Sequence, residues 1–261
     1  MYTKQQLISQ IRDMGIKDTD TVLIHISLKA VGETEGGADG IIDAFSECLQ
    51  DGLFIVPTHT WGTVNKKQPV YDVNTSVPCI GTLPTIAAFR KDGIRSLHPT
   101  HSIWAKGKKA AEFVKGEGDV QSPAPRQGAW NRLADVGAKI LLIGVKHNRN
   151  TFIHSIDEYA AYPDRIGETP YDVTIIDYDG NENTHPMHPH CCSKTNDVSQ
   201  FYVNFEKPLL EMGAQRMGRF GNAEVRVVDA RMCRDIISRI YRRSEEDIFL
   251  EFRDIPDTLY R

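Results

Sequence analysis

Residues 139–145, K-I-L-L-I-G-V, constrain the fold of this chain more than any other segment. Their continuous apolar run is typical of a strand in a sheet that is covered on both faces. A second apolar run, residues 22–26, predicts another buried strand near the start of the chain. Strand and helix patterns alternate through the first ~145 residues, which predicts an α/β sheet.

Further periodic segments complete this prediction. Helical spacing is found over residues 3–14, 41–49, 83–89, 198–212 and 232–241, and strand patterns over residues 53–57, 103–106, 171–177 and 224–229. Asp179-Gly180 predicts a hairpin, so part of the sheet is expected to be antiparallel. The long polar stretch 58–78 is expected to be a functional loop. We therefore predict one domain over residues 1–261, with a central mixed, largely parallel sheet flanked by helices.

Composition excludes several classes of protein. The 261 residues are 40% hydrophobic and 25% charged, which is ordinary for a soluble globular protein. A net charge of −4 argues against nucleic acid as the main partner. No apolar stretch reaches the ~20 residues that span a membrane, and the first residues lack the apolar core of a signal peptide. The five cysteines are odd in number and two are adjacent, so a reducing cytoplasm is expected.

The first chemical candidate is the group His154, Asp157 and Glu158. It follows the strongest strand by about ten residues, near the sheet edge where open α/β sheets place their sites. On a helix, His154 and Glu158 share a face. A carboxylate beside an imidazole raises its basicity, which suits a general base. The competing interpretation is an ion pair on a solvated helix.

Two loops could hold a ligand rich in oxygens. The strand at residues 22–26 ends in a polar turn followed by glycines and a helix, where free backbone N–H groups can bind anions. The loop that begins at Arg95 brings a cation together with Ser96, His98 and Ser102, which suits phosphate groups. The competing interpretation of this second segment is a surface loop before a strand.

The segment H-P-M-H-P-H-C-C, residues 185–192, contains three histidines and two cysteines. Such side chains could bind zinc or copper, but the spacing is not that of a zinc knuckle. Side chains lining a pocket explain the segment at least as well, and we expect no metal. The chain lacks a P-loop, a G-x-G-x-x-G after a strand and a G-x-S-x-G, which argues against nucleotide hydrolysis, dinucleotide redox chemistry and the α/β-hydrolase mechanism.

Four segments in order resemble the aminoglycoside 3-N-acetyltransferase family. They are His25-Ile26-Ser27-Leu28-Lys29 with Gly32; residues 81–90 with Arg95-Ser96, His98-Pro99, Ser102, Ala105 and Gly107; Gly144, Thr151 and His154 with the following acid; and Gly218-Arg219-Phe220-Gly221-Asn222-Ala223. The resemblance extends over nearly the whole chain. It implies a single α/β domain that differs from the common small acetyltransferase fold.

The resemblance also implies acetyl-coenzyme A as the acetyl donor and an amine as the acceptor. His154 corresponds to the catalytic histidine of the family, and many members carry an acid at the position of Asp157. The resemblance further implies that the coenzyme lies along a set of residues from the first two motifs: Ser27, Leu28, Lys29, Ser96, His98 and Ser102. The segment at residues 185–192 departs from the best-known resistance enzymes.

We therefore predict direct attack of an amine on the thioester, with His154 as general base and Glu158 as the carboxylate that orients it or binds substrate. Thr151 is a candidate donor to the developing oxyanion. The expected acceptor is the 3-amino group of a 2-deoxystreptamine aminoglycoside, a polycation that Asp72, Asp157 and Glu158 could bind. Alternatives are an acetyltransferase for another amine, a metal-binding protein that uses residues 185–192, and a coenzyme A-binding protein without activity. The sequence leaves the oligomeric state open.

Overall fold

The structure, a computed structural model, describes residues 1–244 and 251–261. The strands are β1 (Thr21–Ile26), β2 (Leu53–Pro57), β3 (Val70–Asp72), β4 (Ile94–Arg95), β5 (Ile103–Gly107), β6 (Lys139–Ile143), β7 (Tyr171–Ile176), β8 (Glu182–Met187), β9 (Gln215–Phe220) and β10 (Ala223–Asp229). The α-helices are α1 (Lys4–Asp13), α2 (Leu28–Val31), α3 (Gly37–Cys48), α4 (Thr82–Phe89), α5 (Ala110–Phe113), α6 (Ala129–Asp135), α7 (Phe152–Tyr159), α8 (Glu206–Glu211), α9 (Ala230–Arg243) and α10 (Asp257–Tyr260). Short 3₁₀ helices cover His147–Arg149 and Val198–Phe205.

The main sheet has seven strands in the order β4-β5-β2-β1-β6-β10-β9. Strand β1 pairs in parallel with β2 and with β6, whereas the four other neighbouring pairs are antiparallel. The predicted mixed α/β sheet is confirmed, but it is less parallel than expected. Each edge strand is joined to its neighbour by a short connection, β4 to β5 and β9 to β10, and a short connection allows only antiparallel pairing.

Helices cover both faces of the central strands. Val22 and Ile24 pack with apolar residues of α1, α3 and α4, whereas Leu23 packs on the opposite face with α6, α7 and α9. Successive side chains of a strand point to opposite faces, so an unbroken apolar run contributes to two cores at once. This arrangement confirms the interpretation of residues 22–26 and 139–145 as strands buried on both sides.

The predicted hairpin forms, but it lies outside the main sheet. Strands β7 and β8 pair antiparallel, and Asp177 Oδ1 accepts hydrogen bonds from the backbone of Asp179 and Asn181 in the turn. With β3 they form a separate three-stranded sheet. The expectation that this hairpin supplies the antiparallel part of the main sheet is wrong. The small sheet has an apolar core of its own, made by Val64, Tyr71, Val73, Val173, Ile175 and Met187.

Several segments differ from the sequence prediction. The polar stretch 58–78 contains β3, which joins the small sheet. Residues 198–212 begin as a 3₁₀ helix and continue as α8, rather than forming one α-helix. Strand β9 was not predicted, because only the two ends of Q-R-M-G-R-F are buried and the segment shows no clean alternation. No helix in residues 1–244 or 251–261 is long and apolar enough to cross a membrane.

Candidate active site

A cavity of about 1030 Å³ opens at the edge of the main sheet where the parallel strands end. Its floor includes His25 and Ile26 at the end of β1, Pro57 at the end of β2, and residues 148–151 after β6. Loops, the start of β7 and the end of β8 add residues 169–171 and 187–192 to the lining. The expectation from the sequence that a site lies at this edge agrees with the position of the cavity.

His154 projects from α7 onto the cavity wall, and one tyrosine connects it to a buried carboxylate. The Tyr202 hydroxyl lies 2.7 Å from His154 Nδ1 and donates to Asp157 Oδ2 at 2.5 Å. The Tyr241 hydroxyl donates to Asp157 Oδ1 at 2.5 Å. His154 Nδ1 and Asp157 Oδ2 are themselves 3.8 Å apart, which exceeds a hydrogen bond. Tyr202 therefore stands between the imidazole and the carboxylate.

Burial sets the charge states in this group. It holds the pKa of His154 well below 6.5, and nearby His190 and His59 act in the same direction. Burial also raises the pKa of Asp157 to about 6, although the hydrogen bonds from the two tyrosines lower it. At pH 7 and above, the imidazole is therefore neutral and the Asp157 carboxyl is mostly ionised.

Further histidines surround His154. The ring of His190 lies 4.2 Å from that of His154, and the ring of His101 lies 5.3 Å from that of His190. His59 is 4.8 Å from His101. Burial lowers the pKa of each of these imidazoles, in His190 to about 4. The histidine-lined part of the cavity is consequently polar but uncharged at neutral pH.

Glu158 does not reach His154. Its carboxylate accepts hydrogen bonds from Ser122 Oγ at 2.5 Å and from the backbone N–H of Ala124 at 2.7 Å. The i,i+4 spacing does put the two residues on one side of α7, but the loop at residues 122–124 offers Glu158 better donors. The expectation that Glu158 orients His154 is therefore corrected, since Asp157 occupies that position through Tyr202.

Ser96, His98 and Ser102 are fully buried and do not line the cavity. His98 Nδ1 accepts from the backbone N–H of His101, and its Nε2 donates to the carbonyl of Pro123. Ser102 Oγ donates to the carbonyl of Thr58. These side chains hold the loop before β5 in place. Direct contact of the three with coenzyme A, as the resemblance implied, does not agree with this burial.

Ser27, Leu28 and Lys29 lie beside the cavity rather than on its wall. Ser27 caps α2, since its Oγ accepts from the N–H of Ala30. Two glycines of the other motifs allow close packing against α2. A Cβ on Gly144 would lie 2.4 Å from that of Ala30, and one on Gly221 would lie 2.5 Å from the carbonyl of Val31. The contact of these residues with the coenzyme stays a prediction.

The charged side chains of the cavity wall differ from those expected. Asp72 lies at the end of β3, where it accepts hydrogen bonds from Asn74 and Thr75 and does not face the cavity. Among the described residues, the charged wall side chains are Lys66, Arg149 and Asp197, all of them exposed. The three carboxylates that we expected to bind a polycation, Asp72, Asp157 and Glu158, are thus engaged elsewhere.

The segment at residues 185–192 contributes to the cavity. His188, His190, Cys191 and Cys192 line the wall, which agrees with the pocket-lining interpretation. His188 Nδ1 lies 2.7 Å from the carbonyl of Gly167. Within residues 1–244 and 251–261, no three His, Cys, Asp or Glu side chains are arranged to hold a metal ion.

Sequence reasoning missed His59, Tyr202 and Tyr241. His59 had a usable signal, because it follows the buried strand β2 by two residues and so reaches the same sheet edge as His154. Tyr202 and Tyr241 had none. They lie 45 and 84 residues from Asp157 along the chain, and only the packing of the 3₁₀ helix and α9 brings them together.

A large cavity at the strand ends of an α/β sheet, with a neutral imidazole on its wall, is typical of an enzyme that acts on a small molecule. The model of the aminoglycoside 3-N-acetyltransferase family matches residues 23–242, and the chain belongs to this family. The family and the acyltransferase class predicted from the sequence are thereby confirmed.

Individual proteins agree with this assignment. Aminoglycoside N(3)-acetyltransferase III of Serratia marcescens is 25% identical, over 91% of this chain and 95% of the relative. A mutant of aminoglycoside acetyltransferase AAC(3)-IVa in complex with a gentamicin superimposes with a TM-score of 0.74 at 24% identity, over 88% of this chain and 84% of that one. The structure of AAC-IIIb in a binary complex with CoASH superimposes with a TM-score of 0.75 at 19% identity, over 89% of this chain and 93% of that one. The solved structures support the predicted fold class.

Proposed function

We propose that this protein transfers the acetyl group of acetyl-coenzyme A to an amine of an aminoglycoside, with His154 as the general base. The observation that supports this most is the state of His154 on the cavity wall. Its pKa is held well below 6.5 by burial, so the imidazole is unprotonated at neutral pH, which is the state that a general base requires. The family also supports the reaction, as does the gentamicin complex of one relative.

The chemical step needs no covalent enzyme intermediate. The acceptor amine attacks the thioester carbonyl, a C–N bond forms, and the C–S bond then breaks. His154 Nε2 takes the proton that the amine loses, and the coenzyme leaves as a thiolate that is protonated from solvent. Thr151 lines the cavity and makes no capping hydrogen bond with its side chain. We assign its hydroxyl as a donor to the developing oxyanion.

The coenzyme requires cations for its phosphate groups. Lys66 and Arg149 are exposed on the cavity wall, and an arginine is well suited to bind phosphate through paired N–H groups. We therefore propose that these two residues hold the phosphates. The CoASH complex of AAC-IIIb supports coenzyme A as the ligand of this fold.

All five cysteines are free, which supports the proposal of a reducing, cytoplasmic location.

One observation favours a second candidate, an amine with fewer positive charges. On the described part of the cavity wall, Asp197 is the carboxylate and two cations accompany it. A polycation bound there meets few partners for its ammonium groups. The 3-amino group of a 2-deoxystreptamine aminoglycoside remains the acceptor that the family supports, and a small monoamine is the alternative.

Thiol release from acetyl-coenzyme A across a panel of acceptors tests both candidates. The panel contains several 2-deoxystreptamine aminoglycosides and several monoamines, and mass spectrometry and NMR locate the acetyl group. We expect transfer to the 3-amino group of at least one aminoglycoside. Faster transfer to a monoamine would select the second candidate. Coenzyme A binding without transfer to any amine would contradict the acetyltransferase activity.

A further inference from the structure

The buried carboxylate of Asp157 acts on His154 through a tyrosine and not by direct contact. The two residues lie three apart on α7, yet their closest polar atoms are 3.8 Å apart. The Tyr202 hydroxyl is within hydrogen-bond distance of both, at 2.7 Å from His154 Nδ1 and 2.5 Å from Asp157 Oδ2. A hydroxyl has one proton and two lone pairs, so its orientation decides whether the imidazole faces the proton or a lone pair.

The direction of this hydroxyl follows from the charges around Asp157. The carboxyl is mostly ionised at neutral pH, because its pKa is raised only to about 6. The phenols stay protonated, since burial and the neighbouring carboxylate hold the pKa values of Tyr202 and Tyr241 well above 10. An ionised carboxylate only accepts hydrogen bonds. Tyr202 therefore donates to Asp157 and offers His154 a lone pair.

We propose that Tyr202 is a positioning residue that fixes the tautomer of His154, with the proton on Nδ1 and the lone pair on Nε2. This inference rests on the proposed function, in which His154 is the base. Nδ1–H donates to the Tyr202 oxygen, and the Tyr202 hydroxyl donates to Asp157 Oδ2. The Tyr241 hydroxyl donates to the other oxygen of the same carboxylate. The ring nitrogen without a partner among the described residues, Nε2, is then the one that can accept a proton.

The interposed phenol also explains how the imidazole stays neutral beside a carboxylate. A carboxylate in direct contact with an imidazole favours its charged form and raises its pKa. Here two phenolic hydroxyl groups satisfy the carboxylate. Burial disfavours a charge on the imidazole, and three neighbouring groups act in the same direction. They are His190, His59 and the cation Arg165. The base keeps an oriented proton on Nδ1 without becoming protonated on both nitrogens.

Two matched variants test the role of Tyr202. Tyr202→Phe and Tyr241→Phe each remove one hydroxyl group from Asp157 and keep a buried ring, but only Tyr202 also contacts His154. We expect Tyr202→Phe to lower kcat by about 10- to 100-fold, the usual cost of losing an orienting partner, with the KM for acetyl-coenzyme A within about twofold. We expect Tyr241→Phe to lower kcat less than about fivefold. Equal losses in the two variants, or no loss in Tyr202→Phe, would overturn the proposal.

The ¹⁵N NMR shifts of the His154 ring supply a readout that does not depend on turnover. We expect Nδ1 to be protonated and Nε2 unprotonated in the wild type, and a mixture of tautomers in Tyr202→Phe. A wild-type ring protonated on Nε2 would overturn the proposal, whatever the kinetics. By contrast, near wild-type turnover in His154→Ala would contradict the general base and leave the tautomer measurement standing, so the two failures can be told apart.

Discussion

The buried and the exposed parts of the cavity wall differ in the charge of their side chains. The inner wall, defined by His25, His59, His101 and His154, is built on the ends of the sheet strands and on α7, and burial lowers the pKa of every one of these imidazoles. The outer wall, defined by Lys66, Arg149 and Asp197, lies on loops and at the end of a short 3₁₀ helix, and it is exposed. Burial disfavours the charged form of a group, whereas water stabilises it.

This difference assigns proton transfer to the inner wall and coenzyme binding to the outer wall. Proton transfer requires a neutral base, and the inner wall keeps its imidazoles neutral at pH 7. Binding a coenzyme with phosphate groups requires cations, and those are stable on the outer wall because they remain solvated. A substitution on the inner wall should therefore change turnover, and one on the outer wall should change affinity.

The largest expected effect comes from His154→Ala on the inner wall. We expect kcat to fall by about 10²- to 10⁴-fold, the usual contribution of a general base, with nearly unchanged binding of coenzyme A by calorimetry. His185→Ala is the control, because His185 lies on β8 and does not line the cavity. Near wild-type turnover in His154→Ala would mean that another group or water takes the proton.

Substitutions of Asp157 and Glu158 should differ sharply in their effect on kcat, although the two residues adjoin in sequence. Asp157→Asn presents an amide that donates to Tyr202 and turns its hydroxyl proton towards His154, so we expect kcat to fall by about 10- to 100-fold. Glu158→Gln keeps an acceptor for Ala124, and we expect a loss below about threefold. Steady-state kinetics of both variants decide the matter. A larger loss in Glu158→Gln would restore the assignment that the helical spacing first indicated.

On the outer wall, the double variant Lys66→Gln, Arg149→Gln should weaken binding of coenzyme A by about 3- to 10-fold, since exposed ion pairs contribute little each. The loss should shrink as salt increases, because exposed charges are screened. Calorimetry at two salt concentrations measures both effects. Lys29→Gln provides the comparison, and a greater loss there would support the coenzyme position implied by the sequence motifs.

The smallest expected effect is the absence of a titration. Burial lowers the pKa of His25 to about 3 and those of His59 and His101 well below 6.5. A lowered pKa leaves the ring neutral at every pH above the ordinary value. NMR of their ring protons should therefore show no titration between about pH 6.5 and 8.5. A midpoint inside this range for any of the three would mean that water reaches the inner wall.

Much of the fold could be predicted from the sequence, because strands buried on both faces have long apolar runs. The bounds of β2 agree with the prediction at both ends, and β1 and β6 agree closely. The small sheet could not be predicted, since β3 has three residues inside a polar stretch. Its partner β7 lies about 100 residues further along the chain, so no local pattern indicates the pairing.

The sequence by itself determined the family, the acyltransferase class and the position of His154 after a central strand. These follow from local patterns, namely apolar runs and motifs in order. Only the tertiary structure decided which carboxylate serves His154 and which side chains face the cavity. Tyr202 and Tyr241 meet Asp157 from 45 and 84 residues away, and Ser96, His98 and Ser102 are buried by packing. Hydrogen-bond partners and burial depend on contacts between distant segments, which local spacing does not contain.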